Sequence, residues 1–169
     1  LTYFRKEILA ICRAWLKSVL HRSPPEPEAI FGWYILIATI PVGLAGLLLH
    51  EFITTYLRSP LVIAATAIIF GTLLWLVDRR GGGGRSEYTI NLTTALLIGC
   101  AQALALIPGT SRSGVTMTAG MARGLSRLAA ARFSFLLSIP GIGLAGFYEA
   151  TKLAGTTEPV QWDMLAVGV

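Results

Sequence analysis

The chain has 169 residues, of which 54% are hydrophobic and only 14% are charged, and its mean hydropathy is +0.65. Because an average soluble domain has about 25% charged residues, this composition excludes an ordinary soluble domain and predicts an all-α, polytopic membrane helical bundle with one membrane domain over residues 1–169. The formal net charge of +5 does not indicate a nucleic-acid partner, because the basic residues lie in short loops beside apolar segments.

An amphipathic helix is predicted over residues 1–22, where apolar residues recur at helical spacing with arginines and lysines between them. We expect this basic helix either to lie on an anionic membrane leaflet or to pack on the surface of the protein itself. Two apolar runs long enough to span a membrane follow, at residues 29–49 and 60–77. The residues between them, 50–59, are predicted to form a short loop. The residues after the second run, 78–87, contain four consecutive glycines and are predicted to form a flexible basic loop.

The next apolar stretch, residues 90–122, is interrupted by Pro108 and Gly109. As a helix, the piece after the interruption, 115–122, would reach only about 12 Å, which is too short to cross a hydrocarbon core of about 30 Å. We therefore expect a re-entrant hairpin, which is tolerated at membrane depth where it is buried in protein or faces a water-filled cavity. This hairpin keeps five arginines on one side, which we take as cytoplasmic: Arg79, Arg80, Arg85, Arg123 and Arg127.

A third span is predicted over residues 129–148, and a further apolar run begins at 160–169. The sequence opens at Leu1 rather than at a methionine, and the last apolar run is too short to cross a membrane. We therefore expect both ends to be cut and the chain to be a fragment.

The interruption in the hairpin carries one arginine, Arg112, within the residues "PGTSRSGVT" at 108–116. A charged side chain at bilayer depth costs at least about 2.5–3.5 kcal/mol and usually serves a function. No carboxylate lies deep within an apolar run, so we expect Arg112 to meet an anion that comes from outside these segments.

The residues around Arg112 are of the kinds that bind phosphate. Gly109 and Gly114 let the backbone turn and approach a ligand closely. The hydroxyls of Ser111, Ser113 and Thr116 donate hydrogen bonds, and a helix that begins near Gly114 directs free N–H groups at the turn. Arginine adds a planar guanidinium that donates hydrogen bonds to two phosphate oxygens at once. For the letters "TSRS" alone, a helix N-cap followed by an arginine that reaches out of the membrane is the alternative interpretation.

The motif and its flanks, "GCAQALALI" before it and "TAGMARGLSRLAAARFSFLLSIP" after it, resemble the second signature region of the undecaprenyl-diphosphate phosphatase family of the bacitracin-resistance type. The similarity continues through "ATIPVGLAGLLL" and "LRSPLVIAATAIIFGTLLWLVDR". The resemblance implies a membrane hydrolase that converts undecaprenyl diphosphate to undecaprenyl phosphate and inorganic phosphate, which recycles the lipid carrier for cell-wall synthesis. It also implies two inverted repeats whose re-entrant hairpins meet in a cleft open to the outer face.

The same resemblance implies roles for individual residues. The family's phosphate-binding Ser, Arg and Thr carry over to Ser111, Arg112 and Thr116 as catalytic residues. Gln102 takes the place that corresponds by pseudo-symmetry to a glutamate of the family's first motif, and we expect it to be a hydrogen-bonding wall of the cleft. The expected substrate-binding residues are Gly109, Thr110, Ser113, Gly114 and Gln102.

The family's first motif, a glutamate-rich segment followed by Pro-x-Ser-Ser-Thr-Gly-His, does not occur in this sequence. In the family that motif accounts for the dependence on a divalent cation, Mg²⁺ or Ca²⁺. We therefore expect no metal ligand in this chain, and we expect the chain alone to be inactive.

The expected partners are undecaprenyl diphosphate and the lipid bilayer, with no nucleic acid. A second copy of the chain, in a homodimer, is the alternative to a monomer. The expected location is the bacterial plasma (inner) membrane, crossed several times, with the cleft on the periplasmic side. The alternative function is a transporter or flippase of a polyprenyl phosphate, because half-helix ends that face an anion at the membrane midplane also occur in secondary transporters. A purely structural subunit would not explain Arg112.

Overall fold

The computed structural model describes residues 5–21 and 26–154, and the described residues form helices, turns and loops without a named strand. This confirms the all-α prediction. The predicted span over 160–169 lies outside the described residues. The helices are α1 Arg5–His21, α2 Pro27–Tyr56, α3 Pro60–Arg79, α4 Leu92–Leu104, α5 Arg112–Ala122 and α6 Arg127–Ala154, with a 3-10 turn at Glu87–Thr89 before α4.

Among the described residues, three helical segments are long and apolar enough to cross a membrane: Pro27–Leu49, Pro60–Arg79 and Arg127–Tyr148. They overlap the three spans expected from the sequence. The predicted loop at 50–59 is wrong, because α2 continues to Tyr56. No glycine or proline interrupts the chain between Leu49 and Tyr56, so the helix continues to Tyr56. Three residues later, Ser59 caps α3 by accepting a hydrogen bond from the backbone N–H of Val62.

Helices α4 and α5 form a hairpin whose two ends meet. The residues before α4 and after α5 exchange backbone hydrogen bonds. The backbone N–H of Arg85 donates to the carbonyl of Gly124, and the carbonyl of Arg85 accepts from the N–H of Ser126. Gly83 also donates to the carbonyl of Leu125. The glycine-rich segment at 81–84 therefore includes a packed part of the hairpin base. That the hairpin enters a membrane and returns stays a prediction.

The turn of the hairpin is attached to the side of α3. The hydroxyl of Thr66 donates to the carbonyl oxygen of Pro108 at 2.7 Å. Thr66 precedes Asp78 by twelve residues along α3, which corresponds to about 18 Å at 1.5 Å per residue. Asp78 itself pairs with Arg127 at the start of α6. The turn therefore lies well along α3 from the end that carries the arginines.

Small residues bring the hairpin against α2. A β-carbon on Gly99 of α4 would overlap the backbone carbonyl of Ala38 in α2, so the two helices pack closely only because this side chain is absent. Ala38, Ala95 and Ile98 are fully buried at this contact. This contact holds α4 of the hairpin against α2 at Gly99.

Helix α1 packs on α2 through Ile11 and Trp15, which lie against Gly32. Of the two alternatives for this helix, packing on the protein is therefore what the structure contains, while Arg5, Lys6 and Arg13 stay exposed and their contact with a leaflet stays a prediction.

An ion cluster ties α1 to the start of α6. Arg132 bonds to Glu87 at 2.6 Å and to Glu7 of α1 at 3.4 Å. Burial raises the pKa of the neighbouring Tyr88, and the carboxylates of Glu28, Glu7 and Glu87 raise it further.

Candidate functional site

The site predicted from the sequence lies at the N-terminus of α5. The helix begins at Arg112, and Ser111 is its N-cap, with its hydroxyl accepting a hydrogen bond from the N–H of Gly114 at 3.3 Å. The first N–H groups of a helix have no acceptor within the helix, and its dipole is positive at this end. The backbone here therefore favours an anion, as the phosphate-binding interpretation requires, and the N-cap of the alternative interpretation is also present.

The glycines of the motif differ in their roles. Gly109 has a φ of +91°, a conformation that residues with a side chain rarely adopt, and it makes the turn after Pro108. Gly114 was expected to make a turn as well, but it lies inside the first turn of α5, where a β-carbon would approach Ser111 at 3.2 Å. The helix begins at Arg112 rather than near Gly114 because Ser111 supplies the cap.

Three helices converge on the side chain of Arg112. A β-carbon on Gly141 of α6 would lie 3.0 Å from Nε2 of Gln102 in α4 and 3.9 Å from an Nη atom of Arg112 in α5. The amide of Gln102 and the guanidinium of Arg112 therefore face the same point of α6. Both groups donate hydrogen bonds, so this point is lined by donors and by one positive charge.

Arg112 is half-buried and takes part in none of the ion pairs among residues 5–21 and 26–154. Those pairs involve Lys17, Arg127 and Arg132. Burial of a guanidinium without a carboxylate is unfavourable unless another anion pairs with it. The absence of a partner within the described part of the chain agrees with a site that takes its anion from a ligand.

Two buried polar atoms near Arg112 lack hydrogen-bond partners. Gln102 is only 1% exposed, and its Nε2 has no acceptor among the described residues; the hydroxyl of Thr110, two residues before Arg112, also has no partner there. A buried donor left without an acceptor costs about 1–3 kcal/mol, so it calls for an explanation. An anion bound beside Arg112 would supply the acceptor.

The remaining hydroxyls of the motif face different directions. Ser111 and Ser113 are exposed, with their oxygens 3.4 Å apart. Thr116 is buried and is bonded to the hydroxyl of Ser134 in α6 at 2.6 Å, and it also donates to the carbonyl of Arg112. The structure gives Thr116 a contact between helices, and its predicted role in binding phosphate stays a prediction.

Three residues near the site were missed by the sequence analysis. Thr66 holds the turn, Ser134 holds Thr116, and Gly141 lies opposite Gln102 and Arg112. The pair Pro140-Gly141 in the middle of an apolar run was a signal that could have pointed to α6. Nothing in the sequence marks Thr66 or Ser134, because their contacts depend on how the helices pack.

The residues around Arg112 do not fit a divalent cation. Mg²⁺ and Ca²⁺ prefer carboxylates and other oxygen ligands, whereas this site is composed of hydroxyls, an amide and a guanidinium. Within the part of the chain that the structure describes, no group of three or more His, Cys, Asp and Glu side chains could hold a metal ion. The donor set is suited to an anion.

Comparison with known proteins finds relatives that match nearly the whole chain. The chain is 50% identical to "Undecaprenyl-diphosphatase 1" of Pseudoalteromonas translucida over 99% of its own length and 62% of that relative. It is 48% identical to "Undecaprenyl-diphosphatase" of Teredinibacter turnerae and 50% identical to "Undecaprenyl-diphosphatase 2" of Stutzerimonas stutzeri, over 99% of the chain and 63% of each relative. The chain thus spans somewhat less than two thirds of the length of these relatives.

The match to a protein family extends over the whole sequence. Residues 1–169 match the family described as "Bacitracin resistance protein BacA". The matched range includes the apolar helices, the hairpin and Arg112 with its neighbours. The chain therefore belongs to the BacA family of bacitracin resistance proteins.

Proposed function

We propose that the protein is a membrane hydrolase that converts undecaprenyl diphosphate to undecaprenyl phosphate and inorganic phosphate, and that this chain supplies the phosphate-binding part of the site. The observation that carries the proposal is the half-buried Arg112 at a helix N-terminus, without a carboxylate partner in the described chain and beside the unpartnered amide of Gln102. The names of the relatives support this choice of substrate.

The chemistry assigned to these residues is binding of the anion and stabilisation of charge. Arg112 and the free N–H groups of α5 neutralise the terminal phosphate, and the hydroxyls of Ser111 and Ser113 donate to its oxygens. As water displaces the lipid monophosphate from the terminal phosphorus, charge is spread over the equatorial oxygens of the transferred group. Donors that are already in position stabilise that charge in the transition state.

A divalent cation, Mg²⁺ or Ca²⁺, is part of the proposal only as a group whose ligands lie outside the set around Arg112.

The proposed location is the bacterial plasma membrane, with the end that carries the arginines in the cytoplasm. Asp78 and Arg127 pair at that end. From there, Thr66 lies about 18 Å along α3 and Gly141 about 21 Å along α6 at 1.5 Å per residue. In a hydrocarbon core of about 30 Å, this depth favours a re-entrant hairpin whose turn lies in the outer half and a site that opens to the periplasm.

The test is the substitution Arg112→Lys in the intact protein, with phosphate release from undecaprenyl diphosphate measured in detergent. Lysine keeps the charge but loses the paired hydrogen bonds of the guanidinium, so we expect turnover to fall about 100-fold. Arg123→Lys is the matched control, because Arg123 lies at the other end of α5 and is exposed. Unchanged turnover in Arg112→Lys would contradict the proposal.

The same preparation separates the hydrolase from the transport alternative. If the unmodified protein releases no phosphate but moves a labelled polyprenyl phosphate across the membrane of a vesicle, the site serves transport. If it releases phosphate and moves no lipid, the hydrolase assignment stands.

A further inference from the structure

We propose that Gly141 is a positioning residue for the anion site, because the absence of a side chain at this position of α6 lets the amide of Gln102 lie beside the guanidinium of Arg112. The inference rests on the proposed function and extends it to a residue outside the "PGTSRSGVT" motif. It concerns the contact between three helices rather than a direct contact with the substrate.

Little space is left for a side chain at position 141. A β-carbon there would lie 3.0 Å from Nε2 of Gln102, which is closer than carbon and nitrogen atoms normally approach, and 3.9 Å from the nearest Nη atom of Arg112, which is an ordinary contact. A methyl group at position 141 would therefore crowd the amide and not the guanidinium. The effect of such a group reaches the site through Gln102.

The side chain of Gln102 has little room to move away. Its side chain is 1% exposed, and α4 is held against α2 where Gly99 meets the backbone of Ala38. Buried side chains are packed at the density of organic crystals, so an amide that gives way by a few tenths of an ångström presses on its other neighbours. Such a shift moves Nε2 away from the point that it now shares with Arg112.

Glycine is an unfavourable residue for this place in a helix. In a helix interior, glycine is about 1 kcal/mol less favourable than alanine, and Pro140 already removes one backbone hydrogen bond from the preceding turn of α6. The contact with Gln102 gives a physical reason for glycine at position 141. Gly143 and Gly146 of the same helix have no described atom within 4 Å of an added β-carbon, so they lack this reason.

The experiment compares Gly141→Ala with Gly143→Ala in the intact protein. Both variants make the same exchange in one helix, two residues apart, so the gain in helix propensity is the same. We expect Gly141→Ala to raise KM for undecaprenyl diphosphate about tenfold, the effect of losing one hydrogen bond to a charged group, with a smaller change in kcat. Gly143→Ala should leave both constants unchanged. Equal constants in the two variants would overturn the inference.

A second comparison separates positioning from a general loss of packing. Gln102→Ala removes the amide that the methyl group would strike, so adding Gly141→Ala to Gln102→Ala should change KM less than twofold. If the double variant instead shows the full product of the two single effects, Gly141 acts independently of Gln102, and the inference is wrong.

The failure of this inference and the failure of the proposed function are distinguishable. If the unmodified protein releases no phosphate, the proposed function fails, and calorimetric titration with inorganic pyrophosphate still tests the inference. In that titration Gly141→Ala should bind about tenfold more weakly than Gly143→Ala. If the unmodified protein turns over substrate and the two variants bind and react alike, only the role of Gly141 is overturned.

Discussion

At the scale of single residues, Gly109 decides how the turn of the hairpin meets α3. Its φ of +91° places the preceding carbonyl, that of Pro108, where the hydroxyl of Thr66 donates to it at 2.7 Å. A β-carbon on Gly109 would overlap both the carbonyl oxygen of Ile63 and the hydroxyl of Thr66. Glycine is therefore required here for two independent reasons, the backbone conformation and the close approach of α3.

Gly109→Ala and Gly81→Ala separate these two reasons. Gly81 has a similar φ of +86° but no described atom within 4 Å of an added β-carbon, so its substitution should lower the free energy of unfolding by about 1 kcal/mol, from backbone strain alone. Gly109→Ala adds overpacking and should lower it by about 3 kcal/mol. Thermal unfolding in detergent measures both. Equal losses would show that contact with α3 contributes nothing.

At the scale of elements, the hairpin is closed at its base by the segment before α4. Four consecutive glycines at 81–84 indicated a flexible basic loop in the sequence, yet a β-carbon on Gly83 would overlap the backbone of Gly124, just after α5. Gly84, the next residue, has open space around it. The four glycines correctly indicated a loop. Which of them is packed depends on the position of Gly124, some forty residues later in the chain.

These neighbouring glycines offer a matched pair of variants. Gly83→Ala should separate the base of the hairpin and lower the free energy of unfolding by about 2 kcal/mol, a typical effect of overpacking. Gly84→Ala should change it by less than about 0.5 kcal/mol, as for an ordinary surface substitution. Chemical denaturation of the detergent-solubilised protein measures both. Comparable losses in the two variants would argue against a packed base.

The helices themselves were largely predictable from the sequence, and their ends were less so. Apolar runs long enough to span a membrane indicated α2, α3 and α6, but α2 continues to Tyr56 because no glycine or proline interrupts the chain between Leu49 and Tyr56. The site was predictable as far as Arg112, since an arginine within an apolar stretch is conspicuous. Gly141 was not, because its role comes from helices that meet only in the folded protein.

At the scale of the whole molecule, charge is distributed unevenly along the helices. The arginines that follow α3 and α5 lie at one end, where Asp78 pairs with Arg127 and Arg85 bonds to the carbonyl of Arg123. The opposite end of α3 begins after Arg58 and carries fewer basic residues. Such asymmetry sets the orientation of membrane proteins. The proposed orientation, with the arginine-rich end in the cytoplasm, can be tested without knowledge of the substrate.

Single cysteines at the two ends provide that test. Cys12 and Cys100 are free and exposed and are first replaced by serine; Gly84→Cys then marks the arginine-rich end and Arg58→Cys the other. In spheroplasts, a thiol reagent that does not cross membranes should label the Arg58→Cys protein at once and the Gly84→Cys protein only after lysis. Labelling of Gly84→Cys in unbroken spheroplasts would reverse the proposed orientation.

The hydrogen bond from Thr66 to Pro108 links the turn of the hairpin to a helix with no fully buried side chain. A helix of this length, 20 residues or about 30 Å, matches the thickness of an average bilayer and tilts when the bilayer becomes thinner. Because the turn is fastened to α3, such a tilt would move the loop that carries Arg112. The length of the lipid acyl chains would then change the position of Arg112 through the tilt of α3.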